Sequence, residues 1–556
     1  MRQTPRLTGP ETVGVTALSF AASTIIAAYL FDRAGVRLAP LAVLAVALSA
    51  SAVLWLALRP RTDWRRRDDL LGFTAVVLTS WAWLLWRSRP WYLPLGGGPD
   101  ITHHLLLVDY IERHWHLVHD PAVEPYLGEM VHYTPGVHIL TTMVGAWLRS
   151  DGLHALHGTV SALVALKLGF VYLIALRLIP DRMPRLPLAT ASAVLVLLAH
   201  AYVLDSFMHD SFLAQAVSES FAIVMWWTLV VWDETPWASI LAVFALAGTA
   251  AFLTWPVWIG PPGVALGLTL LLRREPSLRA RAAHGLVAAL PIALVAVLYI
   301  MGRTGWLQMT TTEGAVLPPL VDKYGRWFLA SAGVGLLIAP FLPRTRATLF
   351  LLAGILLQAA ALYLLARAHG NTSPYLAFKT FYLAPYPLAV LAVLPAAALW
   401  RAARIPATLA AARLVAWMLC AFVSYKVLRP ILTSPRETPA ISEPLFLASR
   451  WARDHVPTGC VAYMVADDDT SYWLHLAMLR NRRMSSRTGD NNTYNLGETI
   501  VRWYEPGGLP YAIADLPALN RDVREDLNVL AQFDTAAVVK RKGPSACADA
   551  NLPPPP

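Results

Sequence analysis

The stretch LGGGPDITHH, residues 95–104, decides how this chain is read. Three glycines and a proline make a turn, Asp100 follows where a helix should begin, and His103 and His104 come directly after. An apolar run ends just upstream at Arg87, so the carboxylate falls at the edge of a hydrocarbon layer. One role for it is to cap the helix by accepting from its open amide groups. The other is chemical, and the two are compatible because a cap position also fixes the direction of the carboxylate.

Outward from that stretch the chain is hydrocarbon in both directions. Of 556 residues, 56% are hydrophobic and 15% charged, and the mean hydropathy is +0.47. A soluble surface needs more charge than this, so the composition is that of a polytopic membrane protein. Crossing about 30 Å of hydrocarbon takes roughly 20 apolar residues. About thirteen such runs are predicted, at 14–31, 38–58, 70–87, 155–179, 187–204, 212–232, 238–254, 257–272, 285–301, 327–343, 347–366, 378–400 and 408–428. The first follows Arg2 and Arg6 without a small-residue cleavage site, so it reads as a retained helix.

The net charge of +10 does not point to nucleic acid, because the arginines form no basic domain with interleaved aromatics. They fall in alternate loops: RPRTDWRRRDD at 59–69, PDRMPR at 180–185, RREPSLRAR at 273–281, PRTR at 343–346 and RAAR at 401–404. By the positive-inside rule those loops and the N terminus are cytoplasmic. Asp100, the loop DSFMHDS, the segments 302–326 and 367–379, and everything after about residue 430 then lie outside the cytoplasmic membrane.

The chain divides into a membrane domain over 1–430, with an outside loop at 88–153, and a small α/β domain over 431–550. The tail NLPPPP at 551–556 reads as disordered. Within the loop, Ile101, Leu105, Val108, Ile111, Trp115 and Val118 recur at helical spacing, which predicts an amphipathic helix lying on the outer membrane surface. A second short helix is expected from Val137 through Trp147. In the last domain EPLFLASRWARDHV, SYWLHLAML and REDLNVLAQF read as helices, CVAYMV and TAAVVKR as strands. Cys420 reads as a core residue of the last span. Cys460 and Cys547 share the outside domain, where oxidising conditions allow a disulfide, and the sequence leaves open whether the two sulfurs meet.

Asp100, the helix carrying His103, His104 and YIERH, and the later element HYTPGVHIL together resemble the GT-C superfamily of membrane glycosyltransferases, and within it the actinobacterial arabinofuranosyltransferase-like enzymes. The likeness covers most of the chain in architecture. It implies transfer of a sugar from a polyprenyl-phosphate donor to a glycan, lipid or protein acceptor outside the membrane, with inversion. It also implies that Asp100 is the catalytic base. One departure stands out: in many members this loop follows the first membrane helix, whereas here it follows the third.

The residues agree with such chemistry. A sugar hydroxyl is a poor nucleophile and needs a carboxylate to accept its proton, while a departing lipid phosphate needs cations or N–H and O–H donors at the membrane boundary. Lys379, with Tyr375 and Tyr382 on about the same helical face, is the phosphate-binding candidate, against an ordinary interfacial aromatic belt. Arg303, Lys323, Arg326 and Arg367 are further cations near outer helix ends. His104, His103, His138 and Arg113 are candidates for hydrogen bonding to donor or acceptor. Lys167, inside an apolar helix, requires a partner or water; Glu219 is the partner expected, either as a structural pair or lining the donor cavity. No cofactor is required, although Asp205, His209 and Asp210 offer ligands for a divalent metal ion. Two other functions stay open: a transporter or flippase, for which paired repeats are expected and not found, and a non-catalytic envelope scaffold.

Overall fold

The computed structural model of the protein describes all residues except 1–5, 91, 96–98, 121–122, 124–126, 181–182, 274, 302–323, 343, 406–408, 436–438, 440, 458–459, 468–469, 472–473, 475–494 and 544–556. It is mainly α-helical, and ten of the described helices are long and apolar enough to cross a membrane. The bundle begins with α1 (Gly9–Arg33), α2 (Pro40–Leu58) and α3 (Arg67–Arg87), and α4 (Pro99–His114) and α5 (Gly136–Leu148) follow in the long loop. Then come α6 (Gly152–Leu178), α7 (Arg185–Leu195, prolonged by short turns to Met208), α8 (Leu213–Glu234), α9 (Ile240–Thr254), α10 (Gly260–Leu272), α11 (Leu278–Ile300), α12 (Arg326–Ile338) and α13 (Arg346–Ala368). The chain then runs through α14 (Tyr375–Lys379), α15 (Pro385–Ala392), α16 (Leu394–Ala402) and α17 (Ala410–Thr433).

These elements reproduce the thirteen apolar runs, three of them as helices too short to span by length alone: Ile240–Thr254, Pro256–Leu272 and Arg326–Phe341. Two runs read as continuous are broken. The one at 378–400 divides into α14, a 3-10 turn, α15 and α16, because Pro385, Pro387 and Pro395 each lack the N–H that a continuous helix requires. The other leaves α-helical geometry after Leu195. Burial sorts the bundle. Helix α8 is buried throughout, with Trp226, Trp227 and Trp232 inside it, whereas α17 is almost bare and exposes Leu414, Leu419 and Phe422. Bare leucines on an outer helix face suit lipid, since no polar surface separates them from it.

The arginine-rich loops do gather at one end. The strand β1 (Arg6–Thr8) pairs in parallel with β2 (Arg61–Asp63). Arg177 bridges the buried Glu11 and reaches Glu234 at 2.5 Å, and the Trp227 indole N–H donates to Glu11 at 3.0 Å. Arg185 meets Asp69, Arg273 meets Asp233 at 2.7 Å, and Arg344 meets Glu234 at 3.6 Å. That places the five loops of the sequence pattern within reach of one another, apart from 401–404, for which no such pair is seen among the described residues.

At the other end, α4 departs from expectation. Its apolar stripe is covered by protein: Ile101, Leu105, Val108 and Ile111 are buried and packed on α5 and α6. An apolar stripe reports only that it is covered, by protein as readily as by lipid. The helix also stops at His114, since Trp115 takes a left-handed conformation with φ 54°, and Val118 is buried beyond it. Nor is Asp100 a cap. Pro99 is the first helical residue and Asp100 sits within the first turn, where its charge faces the positive end of the helix dipole.

After α17 the chain returns to α4. Arg87 donates to the carbonyl oxygens of Ser434, at 3.0 Å, and Pro435, and Pro439 forms an antiparallel bridge with Leu95, beside the loop that leads to Asp100. The helix α18 (Glu443–His455) then covers one face of a sheet of order β3-β4-β6-β5, made of Val461–Met464, Tyr511–Asp515, Ala536–Lys540 and Asn528–Phe533. The β3–β4 pair is parallel and the others antiparallel. Alternation along the strands sends Ile513 and Val538 toward α18 and the bundle, and Ala512, Ala514 and Val539 toward Trp503 of α19 (Leu496–Tyr504). Of REDLNVLAQF only the first three residues are helical, as the end of a helix over Arg521–Asp526, and Asn528–Phe533 is a strand because it completes the ladder of β6. Helix α19 and strand β4 are absent from the sequence reading. SYWLHLAML falls largely outside the described residues, as does Cys547; Cys460 is disulfide-bonded and Cys420 is free.

Candidate active site

A cavity of about 860 Å3 opens between α4, α5, the start of α8, the α9–α10 turn, α11, α13 and α14. Its lining has two characters: polar residues, among them Asp100, His104, His132, Tyr133, Thr134, Gln215, Tyr375 and Lys379, and apolar ones, among them Phe252, Ile259, Ile292, Ile300, Leu362 and Leu365. The polar set is assembled from segments distant in sequence, and each segment has a local reason to be there.

The HYTPG element brings Tyr133 and Thr134 to the wall. The Thr134 hydroxyl donates to the Thr254 carbonyl oxygen at 2.7 Å. Gly136 makes that approach possible, since a Cβ there would stand 2.3 Å from Thr254 Oγ1 and 2.8 Å from the Leu253 carbonyl oxygen. The element also orients α4: His104 Nδ1 and His138 Nε2 are 2.9 Å apart, one donating to the other, and the His104 ring meets the Tyr133 ring edge-on at 5.4 Å. His104 therefore holds its place on the cavity wall through a neighbour that does not itself line it.

Lys379 reaches the cavity from α14, a five-residue helix that follows Pro374. Its ammonium lies 3.3 Å from the Phe212 ring centroid, 4.6 Å from that of Tyr375 and 5.6 Å from that of Trp255. The residue is 3% exposed. Among the described residues it has neither an ion-pair partner nor a hydrogen-bond acceptor, although the charges of Asp100, Asp210 and Glu219 act on it. Cation–π contacts contribute roughly 0.5–2 kcal/mol, while desolvating an ammonium without a partner costs several kcal/mol. The rings alone do not balance the burial, so three N–H donors face a cavity with an anion-shaped need. Asp210, half-buried at the adjoining loop, has its carboxyl pushed above the usual range by burial, with His209 and Lys379 pulling the other way.

The remaining sequence candidates divide sharply. Tyr382, in the 3-10 turn Thr380–Leu383, does not line the cavity and packs edge-on against Tyr202 at 4.6 Å. Lys167 and Glu219 do pair, Nζ to Oε2 at 2.6 Å, and Tyr386 donates to the same oxygen at 2.7 Å. Both are wholly buried, and neither is on the cavity wall. Arg113 turns to Asp109 at 3.3 Å and Asp454 at 3.9 Å, joining α4 to α18 and not to the cavity. His103 is buried without lining it. In DSFMHD, His200 approaches Asp205 at 3.7 Å, and among the described residues no three His, Cys, Asp or Glu converge as a metal ion would require. Arg303 and Lys323 lie outside the described residues, and Arg326 and Arg367 are exposed.

Gln215, Phe212 and Trp255 escaped the sequence reading. Phe212 and Trp255 sit in apolar contexts that read as core. Gln215 had a signal, a lone amide opening a hydrophobic helix in LAQAVSESF.

Solved structures similar to this chain include two membrane proteins. ArnT from Cupriavidus metallidurans is 16% identical, over 86% of this chain and 99% of that one, with a TM-score of 0.49. The arabinofuranosyltransferase AftD from Mycobacteria is 14% identical over 86% of this chain, with the same TM-score, and the chain spans 42% of its length. No protein-family model matches the sequence, and no curated protein matches it.

Proposed function

We propose that this protein is a GT-C-type glycosyltransferase that moves a sugar from a polyprenyl-phosphate donor to a hydroxyl of a glycan, lipid or protein acceptor outside the cytoplasmic membrane. The observation that carries the reading is Lys379, buried and without an ion-pair partner among the described residues, on a cavity that Asp100 and a set of aliphatic side chains also line. A lipid phosphate matches both parts of that lining: its anion answers Lys379, and its chain answers Ile292, Ile300, Leu362 and Leu365.

In this reading Asp100 accepts the proton of the acceptor hydroxyl as the oxygen attacks the anomeric carbon. The bond from that carbon to the phosphate oxygen breaks, and the electron pair leaves with the polyprenyl phosphate. Lys379 donates to the departing phosphate oxygens, where negative charge grows. Attack opposite the leaving group inverts the configuration. The domain over 431–550 is outside the membrane in the same reading and locks α4 in place through α18.

The test is transfer of radiolabelled sugar from a panel of polyprenyl-phosphate donors to envelope acceptors, in membranes carrying the wild type or Asp100→Asn. Transfer that falls by about 100-fold or more in an equally folded variant supports the reaction class and the base. Transfer that survives in the variant moves the base elsewhere. Silence from both across the panel sinks the enzyme reading and favours a transporter.

A further inference from the structure

The stretch TWPVWIGPP, residues 254–262, breaks a helix, and the break lines the cavity. Helix α9 ends at Thr254, Trp255 is extended at φ −156° and ψ 96°, and a 3-10 turn over Pro256–Ile259 leads into α10. Prolines prevent the helix from closing over the gap. Pro256 has no N–H for the Phe252 carbonyl oxygen, and Pro261 has none for that of Val257, the acceptor four residues before it. Trp255, Pro256, Val257, Ile259 and Gly260 all line the cavity, and the Trp255 ring is one of the three around the Lys379 ammonium, 5.6 Å from it.

Carbonyl oxygens left open inside an apolar bundle need donors from elsewhere, because lipid supplies none. Three side chains from three separate elements provide them. Thr134 donates to the Thr254 oxygen at 2.7 Å, Ser218 of α8 to the Trp255 oxygen at 2.9 Å, and Gln358 of α13 to the Val257 oxygen at 2.8 Å. Gln358 is an amide inside the apolar span Arg346–Ala368, in ILLQAAALYLL. Its orientation is set by its partner: a backbone carbonyl only accepts, so the reversed amide would bring two acceptors together. Gln358 Oε1 then stands over Gly260, where a Cβ would lie only 1.6 Å from it. The amide and a side chain at position 260 therefore compete for one place.

We infer that Gln358 and Ser218 are positioning residues for the bound lipid phosphate: they supply the donors that the broken helix withholds, and so hold the Trp255–Gly260 turn in the cavity lining with the Trp255 ring beside Lys379. The inference rests on the proposed donor class and deepens it, since binding of the phosphate then depends on a turn fastened from two other helices.

The experiment measures binding of undecaprenyl phosphate to the full-length protein in nanodiscs, with the thermal midpoint and the hydrogen exchange of the 255–260 amides read on the same samples. Gln358→Met keeps the length of the side chain and removes the donor. It is expected to weaken binding by about 10-fold and to speed exchange of those amides. Ser218→Ala is expected to act in the same direction, by about 3- to 10-fold. Gly260→Ala should weaken binding as much as Gln358→Met, because the new methyl displaces the amide. In a Gln358→Ala background, where the methyl has room, Gly260→Ala should add less than about 2-fold, the non-additivity of residues in contact. A merely structural glutamine would lower the thermal midpoint and leave the affinity of the folded protein unchanged. Wild-type affinity in both Gln358→Met and Ser218→Ala, or additive losses in the double variant, overturns the positioning role and leaves the lipid-phosphate reading standing. A wild type that binds no undecaprenyl phosphate overturns the donor reading and this inference with it. Should Gln358→Met fail to fold, Ser218→Ala, the smaller change, decides.

Discussion

The two ends of the bundle treat their charges in opposite ways. At the arginine-rich end Arg177 has Glu11 and Glu234, Arg185 has Asp69, and Arg273 has Asp233, so the half-buried cations described there are matched by carboxylates of the chain itself. At the other end Lys379 is as deeply buried as Glu11 and has only ring faces against it. The same physical expense, taking charge out of water, is offset within the protein in one place and left outstanding in the other. Paired burial holds helices together; unpaired burial on a cavity marks where a ligand completes the structure.

That contrast can be broken by substitution. The largest effect is expected at the paired end. Arg177→Met leaves Glu11 without its cation in the protein interior, Glu234 keeping Arg344, and should destabilise the fold by about 3–5 kcal/mol, read as a lowered thermal midpoint in detergent. If that midpoint hardly moves, the arginine end is not the clamp that its geometry describes. At the open end Lys379→Met should do the reverse. Binding of undecaprenyl phosphate should weaken by about 10- to 100-fold, the range for a hydrogen bond to a charged group, while the thermal midpoint holds or rises. A fall matching that of the Arg177 variant would return Lys379 to a structural role.

A third pair sits between these extremes. Arg453 of α18 is buried and makes two contacts with Asp109 of α4, at 2.8 and 3.1 Å, while Arg450 approaches Asp109, Glu112 and Asp151 at 3.7–3.9 Å. Because α4 carries Asp100 and His104, Arg453→Ala should lower transfer several-fold and increase protease cutting between α17 and α18. Unchanged transfer would mean that α4 keeps its place through α5 and α6 alone. The smallest effect concerns pH at the same seam. Burial raises the Asp151 carboxyl, yet the hydrogen bonds and charge of His154, followed by the charge of Arg450, hold it below its usual value. A carboxyl depressed in the folded state contributes stability that is present above its unfolded value, about 4, and is lost as pH falls through the folded one. Docking of the last domain should therefore loosen only below about pH 4, and Asp151→Asn should flatten that dependence in a hydrogen-exchange titration.

Much of this was legible because it is local. Hydropathy located thirteen apolar runs, the arginine alternation anticipated loops that do meet at one end, and the Gly-Gly-Gly-Pro-Asp turn led to a carboxylate that lies on the cavity. Lys167 called for a partner and Glu219 is that partner, since an ammonium inside an apolar helix has few alternatives. The misreadings share a cause. Helical spacing promised that Tyr382 would join Lys379 on the cavity, and its ring packs on Tyr202 instead. The amphipathic stripe of α4 promised a lipid surface and found protein. REDLNVLAQF carried a helical pattern whose second half a neighbouring strand claimed.

The sequence by itself determined which segments leave water, where charge clusters, and that a carboxylate and a lysine stand at the ends of apolar helices, because hydrophobic transfer and charge desolvation act residue by residue. Only the tertiary structure decided which of those groups meet. Asp100 and Lys379 are 279 positions apart in the chain yet line one cavity, and Glu219 of α8 finds its cation, Lys167, on α6. Coulombic balance and hydrogen-bond completion are properties of neighbours in space, and for this chain the neighbours that matter come from α4, α8 and α14.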